Sequence, residues 1–520
     1  MRRIFVIFVA MIGWVVPAWA TEIPVLAYHD IVEKKGADPF EVTANDFARH
    51  MQYLKDEGYT PMSLSLIDRV RAGEALLPAK PVLLTFDDGL QSFVTNAWPV
   101  LRQHGFPSVL SIVTAWVDGR AVPEAYRGRL LDWGALRTLA DSPLVEIVSH
   151  SDDLHHGIRS NPQGNEAPAS VTRAYDAQSG RYETEEAFRA RISADLSRSR
   201  SRMVTMLGKA PMAVAWPYGA YDAITVEEAR RLGMVYHLTL DEDPTSLDML
   251  PRLNRLTFMR YQNLRDLDDM LTFRKARRVQ LRFIELRLDP FAGRSAAEQE
   301  RQLSALLARL QLLGVNAVIV DPFTRDRRAA FFPNPAIPVA ANVLNRVVHQ
   351  IKTRNERIEY VFVRIPEDFP AKDRVGMYTE LARLNRFQGV VFTGSAEHGN
   401  LKEAEAIFRR YYPGTKIGYA SPKAAVAEGD FSFVELDVGM DPQALERSVS
   451  TARATSRRTL FLLHRPQGSS DEQLFMAMHA LRAAGAEHYG YTNDDLGADR
   501  PALRRVAREI MTHTVVETRR

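Results

Sequence analysis

Short apolar runs closed by polar or turn-forming residues recur along the whole chain, with helix-like patterns between them. Ile23 to Tyr28 is the first such run. It predicts a buried strand with an imidazole at its C-terminal end, in His29-Asp30. A helix is expected from near Thr43. Thr43 and Asp46 form a variant capping box, Phe47, Met51 and Leu54 mark one face, and Gly58 is the stop. Pro81-Val82-Leu83-Leu84 predicts another buried strand, running into Thr85-Phe86-Asp87-Asp88-Gly89, where Gly89 ends the strand and permits a sharp turn. Gln91 to His104 reads as a helix closed by Gly105, and Ser108 to Val113 as the next strand. Leu131-Asp132-Trp133 opens a short helix with Asp132 as its N-cap. Leu144 to Val148 predicts a strand that leads into Ser149-His150-Ser151-Asp152-Asp153-Leu154-His155-His156. Arg159 to Arg181 is rich in Asn, Pro, Gln, Gly and Ser, lacks periodicity and is expected to be a long surface loop. Glu183 to Leu207 reads as a long polar helix. Met212 to Trp216 is a short strand ending in Trp216-Pro217-Tyr218-Gly219, and Met234 to Leu240 is one more strand. This first alternating series closes near residue 265.

A second series follows. Its candidate strands are Leu281–Leu288, Val315–Val320, Ile358–Val363, Gly389–Phe392, Lys416–Ala420, Phe433–Leu436, Thr459–Leu463 and Glu487–Tyr491, with helical stretches between several of them, such as Ala296–Leu312 before Gly314. That repetition matches a (β/α)8 barrel. The fold class expected is α/β, an N-terminal distorted (β/α) barrel over 21–265 followed by a C-terminal (β/α)8-like barrel over 276–520. Arg274, Lys275, Arg277 and Arg278 at the join read as a solvated linker face.

A length of 520 residues agrees with two or three domains, and 46% hydrophobic with 25% charged residues is ordinary for globular protein. Lys+Arg total 67 against Asp+Glu 64, so no electrostatic case for nucleic acid exists. Cys is absent, which excludes disulfides, thiolate ligands and a lipid-modified N-terminal cysteine. The first twenty residues change the picture more. Arg2 and Arg3, the apolar run Ile4 to Val16 and Ala18-Trp19-Ala20 form a secretory signal with cleavage expected before Thr21. The expected location is the periplasm, with an uncleaved membrane anchor as the alternative.

Chemistry concentrates at the predicted strand ends, where α/β folds place their sites. Adjacent side chains at a bend point different ways, so one of Asp87 and Asp88 can bind a metal while the other acts as a base. An Asp with two His on neighbouring strand ends makes an open site for a catalytic divalent metal. Taken together, Tyr28-His29-Asp30, Thr85 to Gly89, Leu131 to Trp133, His150 to Gly157 and Trp216 to Gly219 resemble the NodB-homology polysaccharide deacetylases. The resemblance is closest to the periplasmic poly-β-1,6-N-acetyl-D-glucosamine N-deacetylases of biofilm-forming bacteria, and it covers essentially the whole mature chain, a glycoside-hydrolase-like barrel included.

The resemblance implies metal ligation by Asp88, His150 and His155, with His156 as the competing second imidazole. The ion implied is divalent, one of Zn, Ni, Co or Fe. Asp87 is implied as general base and His29 as general acid, oriented by Asp132. The backbone N–H of Tyr218 is implied as an oxyanion donor. Trp133, Trp216 and Tyr218 are candidates for stacking on sugar rings, with core packing as the other reading of Trp133. Many relatives carry an Arg before the Pro-Tyr pair that braces the base. Ala215-Trp216 stands there instead, which implies a weakly braced base and modest turnover. The function implied is N-deacetylation of an exported β-1,6-linked N-acetylglucosamine polymer, with an outer-membrane polysaccharide exporter as partner. Peptidoglycan or β-1,4 chains as substrate, and a polymer-binding export module with a vestigial site, are the rival readings. The barrel is expected to bind polymer without cutting it. The family's acidic cluster after the fourth barrel strand is replaced by Phe392-Thr393-Gly394-Ser395-Ala396-Glu397. Asp289, Asp321, Asp437 and Asp494-Asp495 read as strand-end or turn acids, with a rebuilt catalytic acid pair among them as the alternative, and His464 and Arg465 as contacts to sugar hydroxyls.

Overall fold

The structure is a computed structural model and describes residues 22–241, 243–274, 279–355, 357–366, 371–393, 401–421, 429–455, 459–466, 468–492 and 503–510. The expected signal segment, Lys275 with Arg277 and Arg278, Glu397 and Asp494-Asp495 lie outside these residues.

The first half is built on a sheet of nine strands. They are β1 (Val25–Tyr28), β2 (Thr60–Met62), β3 (Pro81–Phe86), β4 (Ser108–Ile112), β5 (Val145–Ser149), β6 (Ala213–Ala215), β7 (Tyr236–Thr239), β8 (Arg252–Asn254) and β9 (Leu256–Thr257). The order in space is β8-β7-β6-β5-β4-β3-β1-β9, with β2 also pairing β3. The two ends of this path, β8 and β9, are consecutive in the chain and separated only by Arg255. The sheet is thus a parallel barrel closed through one residue rather than through hydrogen bonds. β1 and β3 are buried along their whole length, as strands covered on both faces must be.

Helices follow the strands. They are α1 (Ala44–Asp56), α2 (Leu64–Arg71), α3 (Trp98–His104), α4 (Thr114–Val117), α5 (Trp133–Ala140), α6 (Glu185–Leu207), α7 (Ala223–Arg231) and α8 (Leu264–Leu271). Thr43 caps α1 by accepting from the Asp46 N–H, and Asp132 caps α5 by accepting from the Ala135 N–H. The stretch Gln91 to His104 is not one α-helix. A π-helical turn over Phe93–Ala97 precedes α3, and Gly105 ends α3 in the left-handed region. The surface loop expected over Arg159 to Arg181 is also corrected. Gly157–Arg159 pairs with Glu166–Pro168, and Tyr175–Asp176 pairs with Arg181–Tyr182. These strands are too short for periodicity to reveal them. Their order comes from polar anchors, above all Arg173, which is buried between Asp222 at 2.7 Å and Glu185 at 2.8 Å.

The second half is a closed barrel of eight parallel strands. These are β10 (Arg282–Arg287), β11 (Ala317–Asp321), β12 (Tyr360–Pro366), β13 (Gly389–Thr393), β14 (Lys416–Ser421), β15 (Phe431–Asp437), β16 (Thr459–His464) and β17 (His488–Tyr491), one for each strand expected. Strand alternation divides the residues between two cores. Ile284, Val318, Val361 and Val363 face the outer helices, while Phe283, Ile319, Phe362, Val391, Phe433 and Leu462 plug the interior. Gly490 admits that plug, since a Cβ there would sit 1.9 Å from the Phe283 carbonyl oxygen.

Candidate active site

His29, Asp87, Asp88, His150 and Trp216 sit just past the C-terminal ends of strands in the first sheet, His155 and Tyr218 lie a few residues further on, and Asp132 and Trp133 stand at the start of α5. β3 ends at Phe86, and the next residues turn sharply, with Asp88 at φ 71° and Gly89 at φ 68°. A left-handed Asp is tolerated where a turn demands it. The turn sends the two carboxylates apart. Asp88 joins His150 and His155, and one ligand atom from each lies within 4.8 Å of the others. Asp87 instead points among Ser111, Arg255 and His29. Its Oδ1 accepts from Ser111 Oγ at 2.6 Å and from Arg255 Nη1 at 2.6 Å, while Oδ2 lies 3.8 Å from His29 Nε2.

His150 leaves the end of β5. Its Nδ1 lies 2.6 Å from the Ala215 carbonyl at the end of β6. A carbonyl only accepts, so Nδ1 carries the proton and the ligating lone pair belongs to Nε2. His155 is held among aromatic rings, with centroids 4.9 Å to Trp116, 4.8 Å to His150 and 4.6 Å to Tyr218. His156 points elsewhere: it is exposed and lies 3.9 Å from Asp153. One carboxylate and two neutral imidazoles suit a borderline divalent ion such as zinc, and three protein ligands leave positions open. The donor set therefore fits the metal implied by the sequence.

Several expected roles do not survive the geometry. Among the described residues no hydrogen bond joins Asp132 to His29; Asp132 is exposed and caps α5 through Oδ1. His29 is instead stacked on Phe40 at 4.6 Å. The Leu131-Asp132-Trp133 segment is laid across the Asp-Asp-Gly turn by a 2.9 Å bond from Leu131 N–H to the Gly89 carbonyl. Trp216 is fully buried against Leu154, Phe188, Ile192 and Tyr221, so no sugar ring reaches it. Trp133 is buried as well, which supports its core-packing alternative. Tyr218 is the exposed aromatic of the set, 52% accessible, with φ 58° at the tip of the Pro217–Gly219 turn. Its hydroxyl donates to the His155 carbonyl at 3.3 Å.

The expectation of a weakly braced base is overturned too. No arginine precedes the Pro-Tyr pair, but Arg255 arrives from the barrel seam and pairs with Asp87 while itself 1% exposed. A single charged residue between Asn254 and Leu256 was the only sequence signal for it. Ser111 and Phe40 were missed for a like reason: neither belongs to a motif.

In the second half, buried carboxylates are matched with arginines. Asp321 meets Arg287 at 3.2 Å and Arg327 at 3.3 Å, and Arg364 bridges Glu285 and Glu435. Asp437 and His464 line a cavity of about 660 Å³ together with Arg364, Glu435 and Arg447. Arg465, expected to reach sugars, is buried and bonds Asp471 at 2.5 Å.

Residues 76–237 match the polysaccharide deacetylase family, and residues 286–366 match a hypothetical glycosyl hydrolase family numbered 13. The chain is 27% identical over 428 residues to a poly-beta-1,6-N-acetyl-D-glucosamine N-deacetylase of Escherichia coli (strain K12), covering 73% of this chain and 64% of that relative. Among solved structures, a de-N-acetylase from Aggregatibacter actinomycetemcomitans is 31% identical, covering 48% of this chain and 100% of that one, with a TM-score of 0.45. The BpsB deacetylase domain from Bordetella bronchiseptica is 35% identical, covering 45% of this chain and 94% of that one, with a TM-score of 0.41.

Proposed function

We propose, from the premise that this chain belongs to the polysaccharide deacetylase family, that it hydrolyses N-acetyl groups of a β-1,6-linked N-acetylglucosamine polymer. The observation that carries the reading is the divergence of two adjacent carboxylates, Asp88 into a three-donor cluster and Asp87 onto Arg255 and His29. Asp88, His150 and His155 would hold a divalent ion, which supplies Lewis acidity toward water and an amide carbonyl. The chain's own groups do the rest. Asp87 Oδ2, the oxygen not taken by Arg255 and Ser111, removes a proton from the attacking water. The backbone N–H of Tyr218 donates to the oxygen that becomes negative in the tetrahedral state. His29 protonates the nitrogen as its bond to the acetyl carbon breaks, releasing acetate and a free amine. Tyr218, exposed beside His155, offers a ring face to the sugar. The curated relative from Escherichia coli supports this linkage, and acetate release from β-1,6 against β-1,4 oligomers tests it. Product on β-1,4 chains alone would move the substrate to peptidoglycan or chitin-like polymers.

In this reading the protein is exported, with cleavage after Ala20 leaving Thr21 first, and works in the periplasm. No helix among the described residues is long and apolar enough to cross a membrane. N-terminal sequencing of the exported protein checks the cleavage. The cationic product passes to an outer-membrane exporter, and co-purification with such a partner tests that step. The barrel binds the polymer without cutting it. The arginines beside Glu285, Asp321 and Glu435 support this, because they oppose the protonated form that a glycosidic proton donor needs. Full-length protein carrying Asp87→Asn should bind partly deacetylated polymer and yield no shorter chains; shortening overturns this reading.

A further inference from the structure

Between the two imidazoles of the cluster, the chain makes a tight loop that the motif alone does not explain. Ser151 sits at φ 76°, a left-handed conformation that a non-glycine residue adopts only when its surroundings fix it. The fixing groups come largely from α6. Asp195, near the middle of that helix, accepts from the Asp152 N–H at 2.9 Å through Oδ1 and from the Asp153 N–H at 2.8 Å through Oδ2. Arg198, one turn on, donates from Nε to Asp152 at 3.0 Å, and Ser199 Oγ lies 2.8 Å from Ser149 Oγ. Positions 195, 198 and 199 share one helical face, so a single rigid rod addresses the whole loop.

The opposite side of the loop is held by α4. Thr114 N–H donates to the Ser151 carbonyl at 3.2 Å and Ala115 N–H to the Asp152 carbonyl at 3.1 Å. Thr114 Oγ1 and Arg120 Nη2 donate to Asp152 Oδ1 at 2.8 and 2.9 Å. The remaining N–H groups are met within the loop, Ser151 by Ser149 Oγ and Leu154 by Ser151 Oγ, each at 3.0 Å. Asp195 is the group at the centre of this arrangement. It is 2% exposed, and one carboxylate there orders two successive peptides directly between His150 and His155. A carboxylate that accepts two backbone N–H groups is a strong and directional anchor. It is also a costly one, because burial pushes the Asp195 carboxyl up, to about 6.

We propose that Asp195 is a positioning residue of the metal centre, fixing the His150–His155 loop in the conformation that brings both imidazoles to Asp88. The inference deepens the metal-centre reading above and rests on it. Outer groups that orient ligands typically contribute about 10- to 100-fold to metal affinity, and Asp195 acts one step further back, on the backbone that carries the ligands. Its substitution by Asn keeps the size and removes one of the two acceptors.

The test uses full-length, metal-free protein and Zn²⁺ alone, with affinity read by competition against a chromophoric chelator. Asp195→Asn should lower Zn²⁺ affinity by about 10-fold or more. Arg202→Gln breaks the pair that Arg202 makes with Asp118 at 2.8 Å, elsewhere along the same helix, and should keep the parental affinity. A folded Asp195→Asn protein with parental affinity overturns the inference, whatever its Tm, and so does an equal loss in Arg202→Gln. If Asp195→Asn does not fold, Arg198→Gln decides, since Arg198 is half-exposed and its loss loosens Asp152 without burying an unpaired charge. Lower affinity there supports the inference, and parental affinity overturns it. A parent that binds no Zn²⁺ refutes the metal centre itself, and that result is distinct from all of these.

Discussion

Arg255 Nη1 lies 2.6 Å from Asp87 Oδ1, a buried pair linking the residue that closes the first barrel to the first of the two adjacent strand-end acids. Arg255 is the one residue between β8 and β9, and β9 pairs with β1, beside the strand that carries Asp87. The residue through which the barrel closes is therefore also the one whose side chain orients the base. Ser111 donates to the same oxygen, so Oδ2 remains directed at His29.

Arg255→Lys should keep the charge and lose the planar geometry of the guanidinium. We expect kcat to fall by about 10²-fold, on the scale of a misaligned general base, with KM and Zn²⁺ affinity close to parental. Steady-state kinetics beside a chelator competition measures all three. A parental kcat would show that Ser111 and His29 suffice to place Asp87.

The two adjacent acids should separate cleanly. Asp88→Ala removes a ligand and should abolish both tight Zn²⁺ binding and acetate release. Asp87→Asn should retain Zn²⁺ and lose the rate by about 10²- to 10⁴-fold. Equal Zn²⁺ loss in both variants would contradict the division of roles.

Two aromatics of one motif should behave in opposite ways. Trp216→Ala empties a fully buried site and should cost about 3–5 kcal/mol of stability, seen in denaturant unfolding. Tyr218→Ala should leave stability nearly unchanged and raise KM for oligomers, because that ring is exposed beside His155. A stable Trp216→Ala protein with impaired oligomer binding would reverse the assignment.

Acid should weaken the fold through His50. It is buried against Tyr28, whose hydroxyl lies 3.2 Å from His50 Nδ1, and burial pushes the imidazole from 6.5 down to about 4. Below pH 6.5 the unfolded chain takes up a proton that the folded chain refuses, so stability falls with falling pH until about pH 4. The full loss is about 3 kcal/mol. His50→Gln retains an acceptor for Tyr28 and cannot titrate. Urea unfolding at pH 7 and pH 5 should show a smaller difference in this variant than in the parent, and an equal difference would contradict the assignment.

Much of this was legible in the sequence because periodicity and strand-end motifs report local preference. All eight barrel strands and the residues Asp87, Asp88, His150 and His155 lie where apolar runs and turns placed them. What escaped depends on long-range closure. β8 and β9 are two or three residues long and gain their meaning only by pairing with β7 and β1. Arg255 between them follows no motif. Glu183 to Leu207 read only as a long polar helix, with no sign that Asp195 and Ser199 are buried, Asp195 as acceptor for two backbone N–H groups and Ser199 against the Ser149 hydroxyl. Trp216 misled in the other direction, since a residue beside an exposed turn can still point into the core.

Acetate release from β-1,6-linked N-acetylglucosamine oligomers by the full-length protein, with and without bound metal, tests the central claim most directly. The account predicts release that stops on chelation, returns with added Zn²⁺ or Co²⁺, and is lost in Asp87→Asn protein that still binds the ion. Release that persists after complete removal of metal, or at the parental rate in Asp87→Asn, would contradict it.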